Sequence, residues 1–359
     1  MPTLYLHIGT AKTGTTSIQQ FLLQNREKFL DRFNLLTPKT GQDSREGSHH
    51  PLAFSFVEKQ QRNAFHNTKS PRQYAKKMRR ELKGKHADML LTSECFWLSR
   101  LGLPQFIGDV FPDYQVKIVM YARQIDQYVE AAWSQHVKGR IFTDSFETFL
   151  QGFRYFNYSW PKYWQTTLGL DSSSVIIAPY ESCQFYQNTL LDDFVYRLSG
   201  ERIPADFQLP GKFANPRLSR DALEYMLAVN RSAKGSEKKD AFREKLVAFS
   251  QQKDASSNNA FQAHGLLSWP QRLQLLESAK PDDTKIAKEY LGRVDGRLFY
   301  RPLTKASDEP SSYPGLSIDI AIEISEHIIG KPLSKLSLNP GLSPAEKIAA
   351  IVDRTAEAV

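Results

Sequence analysis

Cysteine is nearly absent from this chain: Cys95 and Cys183 are the only two in 359 residues. They form no disulfide framework and no cysteine-based metal pattern, and read as free thiols of a reducing compartment. The eight histidines lack metal spacing as well. His49 and His50 are adjacent, but no cysteine or acidic residue stands at ligand distance in sequence, so no metal site is expected. No apolar run reaches about 18 residues, the length that would suggest a membrane-spanning helix. The opening MPTLYLHIG has no basic start, too short an apolar stretch and no small-residue cleavage site, so it is not a secretory signal. The expected location is cytoplasmic, with no transmembrane segment and only peripheral membrane contact left open. Zinc-finger, RNA-recognition and helix-turn-helix signatures are also missing, and no nucleic-acid partner is expected.

Positive charge, by contrast, is in excess. Lysine and arginine number 47 against 39 acids, a net charge of +8, which favours anionic ligands without naming one. The densest basic stretch, RQYAKKMRRELKGKH (72–86), has helical spacing and reads first as a solvated face, second as a binding surface.

Apolar runs alternate with helical patterns over the first 200 residues. TLYLHI (3–8), ADMLLTSE (87–94), QVKIVMYAR (115–123) and SSSVIIAPYES (172–182) read as strands or contain them. A helix follows Gly14, with Ile18, Phe21, Leu22 and Phe29 on one face, and others follow Arg123 and Ser182. This predicts an α/β fold, a mostly parallel sheet flanked by helices, with ligands bound outside the carboxyl ends of the strands. Beyond Gly200 the pattern is helical: SRDALEYMLAVNR, KKDAFREKLVAFSQQ, WPQRLQLLESA and DTKIAKEYLGR. The polar segment 39–70 shows few order signals and is expected to be a mobile loop over a site. KASDEPSSYPG (305–315) reads as a linker and SPAEKIAAIVDRTAEAV as a terminal amphipathic helix.

The first strand runs into HIGTAKTGTTS (7–17). Gly9 and Gly14 have the separation of the phosphate-loop pattern G-x-x-x-x-G-K-[ST], and Thr16 occupies its hydroxyl position. The lysine does not fit: Thr15 stands where it belongs, and Lys12 lies inside the loop. The glycines and the helix start still offer backbone N–H groups to an anion. A nucleoside triphosphatase would lose its lysine contact to the β- and γ-phosphates.

With lysine early and hydroxyls late, AKTGTTS resembles the 5'-phosphosulfate loop of sulfotransferases that use 3'-phosphoadenosine 5'-phosphosulfate. IVMYARQIDQYVEAAWSQHVK (118–138) resembles the strand–arginine–helix element that holds the donor's 3'-phosphate in bacterial members. The resemblance implies a P-loop-type three-layer fold with a C-terminal helical layer. It places the sulfotransferase domain at 1–304, with an αβ core at about 1–200 and the helical layer at about 201–304; residues 305–359 have no counterpart and form a linker and helical tail. It implies that Lys12, Thr13, Gly14, Thr15, Thr16 and Ser17 hold the 5'-phosphosulfate and that Arg123 holds the 3'-phosphate. Ala131 stands where the family carries a serine, and Ser134, one turn on, is the expected substitute. Segments FANPRLSRDALEYMLAVNR and AKEYLGRVDGRLF extend the likeness more weakly.

The implied reaction is metal-free, in-line transfer of a sulfuryl group to a hydroxyl of a carbohydrate or glycolipid. Lys12 serves the bridging oxygen and a carboxylate or histidine takes the proton. Glu94, which closes a strand in LLTSECFW, is the first candidate for that base; His50 and His136 follow, and His7 reads as a packed neighbour. The aromatics of FRYFNYSWPKYW (153–164) read as core before sugar-stacking residues. Two other readings are a P-loop small-molecule kinase, which would need Mg²⁺ ligands and a lysine after Gly14, and a non-enzymatic basic domain that binds anions.

Overall fold

Each strand expected from the sequence forms, joined by a two-residue strand that the sequence did not mark. The structure, a computed structural model, describes residues 1–59, 68–139, 142–153, 155, 157–211, 217–257, 265–302, 313–333 and 339–359. Most of the expected linker at 305–315, and part of the polar segment at 39–70, lie outside the described residues. The rest of that segment contains a short helix.

In chain order the first elements are β1 (Thr3–His7), α1 (Thr15–Gln24), α2 (Arg26–Phe33), β2 (Leu35–Leu36), α3 (His50–Phe54), α4 (Pro71–Leu82), β3 (Asp88–Thr92), α5 (Leu103–Val110) and β4 (Gln115–Ala122). Then come α6 (Ile125–Gly139), α7 (Phe146–Gly152), α8 (Ser159–Thr167), β5 (Val175–Pro179), α9 (Leu190–Ser199) and α10 (Arg220–Arg231). The chain closes with α11 (Ala233–Glu237), α12 (Lys239–Ser257), α13 (Trp269–Leu291), α14 (Ile318–Ile329) and α15 (Pro344–Ala358).

By internal contacts the described chain forms two units. The first comprises Met1–Ile125, Phe156–Ala214 and Glu277–Pro302. Its five strands are all parallel, in the order β2-β3-β1-β4-β5. Successive side chains on a strand face opposite ways, and the core divides accordingly. Leu4, Leu6, Met89, Leu91, Ile118 and Ile177 pack with α3, α4, α5, α8 and the end of α13. Tyr5, Leu90, Val119, Tyr121 and Ala178 pack with α1, α2 and α9. Both faces of the sheet are therefore covered, as parallel strands require. The order of connections reverses at β1, whose chain leaves towards β2 while β4 lies on its other side. That switch point leaves a crevice at the carboxyl ends of β1 and β4.

The second unit, Asp126–Tyr155, Asn215–Leu276 and Leu303–Val359, is helical where described. Trp133, Tyr225, Met226, Phe242, Leu246, Ile324 and Val352 form its core. The buried Tyr225 hydroxyl is satisfied by Ser325 Oγ at 2.8 Å and Thr355 Oγ1 at 3.3 Å. Among the described residues no helix is long and apolar enough to cross a membrane.

Three elements differ from their sequence reading. WPQRLQLLESA and DTKIAKEYLGR belong to one helix, α13, which runs through Pro281. Proline there removes one backbone bond without ending the helix, because Ala279, Ile286 and Ala287 are buried on either side. The helix after β5 begins only at Leu190, after two 3₁₀ turns in which Gln187 and Asn188 take φ of 54° and 58°. α14 is unmarked in the sequence: Ile318, Ile320, Ile322 and Ile324 alternate like a strand. Its caps decide the matter. Ser317 Oγ accepts from Ile320 N–H, and Gly330 ends the helix in the left-handed region.

Candidate functional site

The loop after β1 is built by three left-handed residues, Gly9 (φ 42°), Lys12 (φ 67°) and Gly14 (φ 75°). Glycine is required at two of them. A methyl on Gly9 would lie 2.7 Å from Thr15 Cγ2, and one on Gly14 would lie 2.2 Å from Leu190 Cδ2. Lys12 has no such freedom, so its left-handed backbone is strain held in place by neighbours. Thr10 Oγ1 donates to the Tyr121 carbonyl at 2.7 Å, and Thr13 Oγ1 donates to the Thr10 carbonyl at 2.6 Å. Arg123 Nη1 donates to the Lys12 carbonyl at 2.7 Å. The loop is thus tied to β4, the strand across the crevice.

α1 starts directly from this loop. Gly14 is its N-cap and offers no side chain, and its first turn holds no acid. The first N–H groups of a helix have no intrahelical partner and carry the positive end of its dipole. Ser and Asp caps neutralise them elsewhere in the chain, at Ser70, Ser219 and Ser317 for example. Here nothing does so among the described residues. Thr16 and Ser17 are half-buried beside that start, and Thr15 is buried.

Arg123 closes β4 on the other side of the crevice, with its guanidinium 5.5 Å from the Tyr180 ring centroid. Tyr180 follows β5 and continues its pairing, donating its N–H to the Ala122 carbonyl at 2.6 Å. The same ring lies 3.5 Å from where a Gly14 methyl would stand. Tyr180 and Leu190 thus underlie the loop, and neither was foreseen. The only signal for Tyr180 was its place just past a strand end.

Glu94 lies beside the loop on the β3 side. A methyl on Gly9 would come within 3.6 Å of Glu94 Cβ. Its Oε2 accepts from Gln19 Nε2 at 2.9 Å, and His50 Nε2 stands 3.7 Å from Oε1. The other ring nitrogen of His50, Nδ1, is 2.8 Å from Ser93 Oγ. Burial works to raise the Glu94 pKa, but His50, a backbone N–H and Gln19 outweigh it and hold the carboxyl below the usual glutamate range. It is ionised at neutral pH. The structure therefore gathers Gly9, Lys12, Gly14, Arg123, Glu94 and His50 at one edge of the sheet. Gln19, on the second turn of α1, is the partner of Glu94 that sequence reasoning missed.

Two further histidines are packed. His7, fully buried, has Nδ1 2.8 Å from Thr92 Oγ1, and burial lowers its pKa to about 4. His49, also fully buried, accepts the Thr92 N–H on Nδ1 at 3.2 Å and has Nε2 3.0 Å from the Pro38 carbonyl. That pairing fixes the Nε2–H tautomer, and burial again lowers the pKa to about 4.

Ser134 belongs to the second unit, where its hydroxyl donates to the Glu130 carbonyl at 2.8 Å within α6. His136 lies there too, clustered with the rings of Phe142 and Phe149. Of the aromatics at 153–164, Trp164 is fully buried, as a core reading expects. Trp160 is half-buried and stacks on Trp97 at 4.3 Å with the rings 5° from parallel. Trp97 ends the 3₁₀ turn that begins at Glu94. Among the described residues no group of three or more His, Cys, Asp or Glu side chains could hold a metal ion.

Comparison of the chain with protein-family models, with curated proteins and with solved structures yields no match.

Proposed function

We propose that this chain is a sulfotransferase of P-loop type, which moves the sulfuryl group of 3'-phosphoadenosine 5'-phosphosulfate to a hydroxyl of a glycan or glycolipid. One observation carries the reading: the uncapped start of α1 lies under a glycine-hinged loop with its lysine before Gly14, and Arg123 is fastened to the carbonyl of that lysine. The resemblance of AKTGTTS to the 5'-phosphosulfate loop supports it.

In this reading the N–H groups and hydroxyls of Thr15, Thr16 and Ser17 receive the 5'-phosphate, joined by the backbone of Thr13 and Gly14. Lys12 faces the oxygen that bridges phosphorus and sulfur. The acceptor oxygen attacks sulfur and forms the new O–S bond, while the bridging S–O bond breaks and its electron pair stays on the phosphate. Negative charge grows on that oxygen, and a positioned ammonium stabilises the transition state more than the ground state. Glu94 takes the acceptor's proton, and Gln19 and His50 hold its carboxylate. Adenosine 3',5'-bisphosphate leaves. Arg123 takes the 3'-phosphate with its planar fork. In this reading the stacked pair Trp97 and Trp160 borders the acceptor beside Glu94.

The test is turnover with the sulfate donor and a panel of glycan and glycolipid acceptors. Glu94→Gln should lower kcat by about 10²–10⁴-fold with donor affinity unchanged. Unchanged kcat in that variant would remove Glu94 as the base.

A further inference from the structure

The excess positive charge of this chain has one source. Residues 59–80, KQQRNAFHNTKSPRQYAKKMRR, contain eight lysines and arginines and no aspartate or glutamate. Setting those eight aside leaves 39 cationic residues against 39 acids, so the rest of the chain is balanced. Balance elsewhere matches the many ion pairs found there. None of Lys69, Arg72, Lys76, Lys77, Arg79, Arg80 and Lys83 pairs with an acid among the described residues.

α4 arranges this charge in a line. Tyr74 and Met78 are buried and turn the opposite face outward. Arg72, Lys76, Arg79 and Lys83 follow at i, i+4, i+7 and i+11, all exposed, over about 16 Å of helix. Neighbours in such a row stand about 5–6 Å apart. Arg80 flanks the row. Lys77 lies beyond it on the same flank, so close to Lys69 that the two ammonium groups oppose each other's charge. Glu81, the one acid of α4, is turned away and accepts from the N–H groups of Lys39 and Thr40. Like charges at these spacings repel, and none of the described residues supplies a compensating acid. The first helical residues of α4 follow a capping box at Ser70, so the row has a fixed starting point.

We infer that the exposed face of α4 is a docking surface for a linear anionic polysaccharide. The row matches a polymer with one acidic group per sugar ring in both spacing and sign. The surface lacks what other polyanions use. It exposes no large apolar residue to enter a bilayer, and no aromatic on which the bases of a single strand could stack. This surface shares no residue with the proposed donor site, and its occupancy does not depend on the chemistry proposed there.

The experiment measures binding of the full chain to a heparin oligosaccharide at about 0.1 M salt. It uses wild type, Arg72→Glu/Lys76→Glu/Arg80→Glu, and a control with Arg217→Glu/Lys245→Glu/Lys331→Glu. Thermal denaturation checks that each variant folds, and a triple variant to Gln replaces the Glu variant if that one does not. The α4 variant should bind at least roughly tenfold more weakly, the control should bind as wild type, and the salt dependence of binding should be shallower in the α4 variant alone. Equal losses in both variants would overturn the assignment. So would tighter binding to duplex DNA or to vesicles rich in anionic lipid than to the oligosaccharide.

Discussion

At Gly14 an added methyl meets two penalties at once. Its φ of 75° strains any other residue, and the methyl would meet Leu190 Cδ2 at 2.2 Å. Gly14→Ala should lose about 1–3 kcal/mol of stability in urea denaturation. Adding Leu190→Ala should not restore nucleotide binding, since it relieves the clash and leaves the backbone strain; full restoration would show that the loop tolerates a normal conformation. The buried histidines predict a pH effect. Unfolded His7 and His49 take up a proton below about pH 6.5, whereas the folded ones do so only near 4. The unfolded state therefore binds more protons in that window, and stability falls as pH drops from 6.5 to 4, by on the order of 3 kcal/mol for each histidine. His7→Gln should remove about half of that slope, and an unchanged slope would contradict the assignment. Glu94 adds loss in the same direction, because its depressed pKa stabilises the fold above the usual glutamate range and that contribution disappears as pH falls through its folded value. The loop was legible in the sequence because the pattern that marks it is local: two spaced glycines, a lysine and a hydroxyl run. Gln19, Tyr180 and Leu190 were not, because each acts through a neighbour distant in sequence.

The strands were readable for a similar reason. A parallel sheet covered on both faces leaves continuous apolar runs in β1, β3, β4 and β5, and little else in a chain looks like that. β2 has two residues and carries no period. Helices whose apolar stripe is clear, such as α1 and α10, were readable, whereas α14 presents an alternating pattern that its two caps override. α13 carries the testable case. Pro281 is exposed and within the helix, where it removes one backbone bond and crowds the preceding turn. Pro281→Ala should raise the midpoint of thermal unfolding, by the equivalent of about 1 kcal/mol or more. A fall would mean that the proline sets a bend on which the packing of Ile286 and Ala287 depends.

At the scale of the whole molecule, each unit is assembled from three separate segments of chain. Such an arrangement follows from long-range packing, and no local period in the sequence announces it. What the sequence did contain was the order of strands and helices, and that order alone brings the loop after β1, the arginine after β4 and the glutamate after β3 to one edge. The charge distribution works at the same scale. A chain balanced outside residues 59–80 should bind a small polyanionic nucleotide by its local site and not by its overall field. Calorimetry with adenosine 3',5'-bisphosphate, on wild type, Lys12→Ala and Arg123→Ala, tests this most directly. The account predicts metal-independent binding to the wild type, weakened by at least about tenfold in Arg123→Ala, with Lys12→Ala losing turnover while still folded. No binding at high micromolar protein, or a preference for ATP with Mg²⁺, would contradict it.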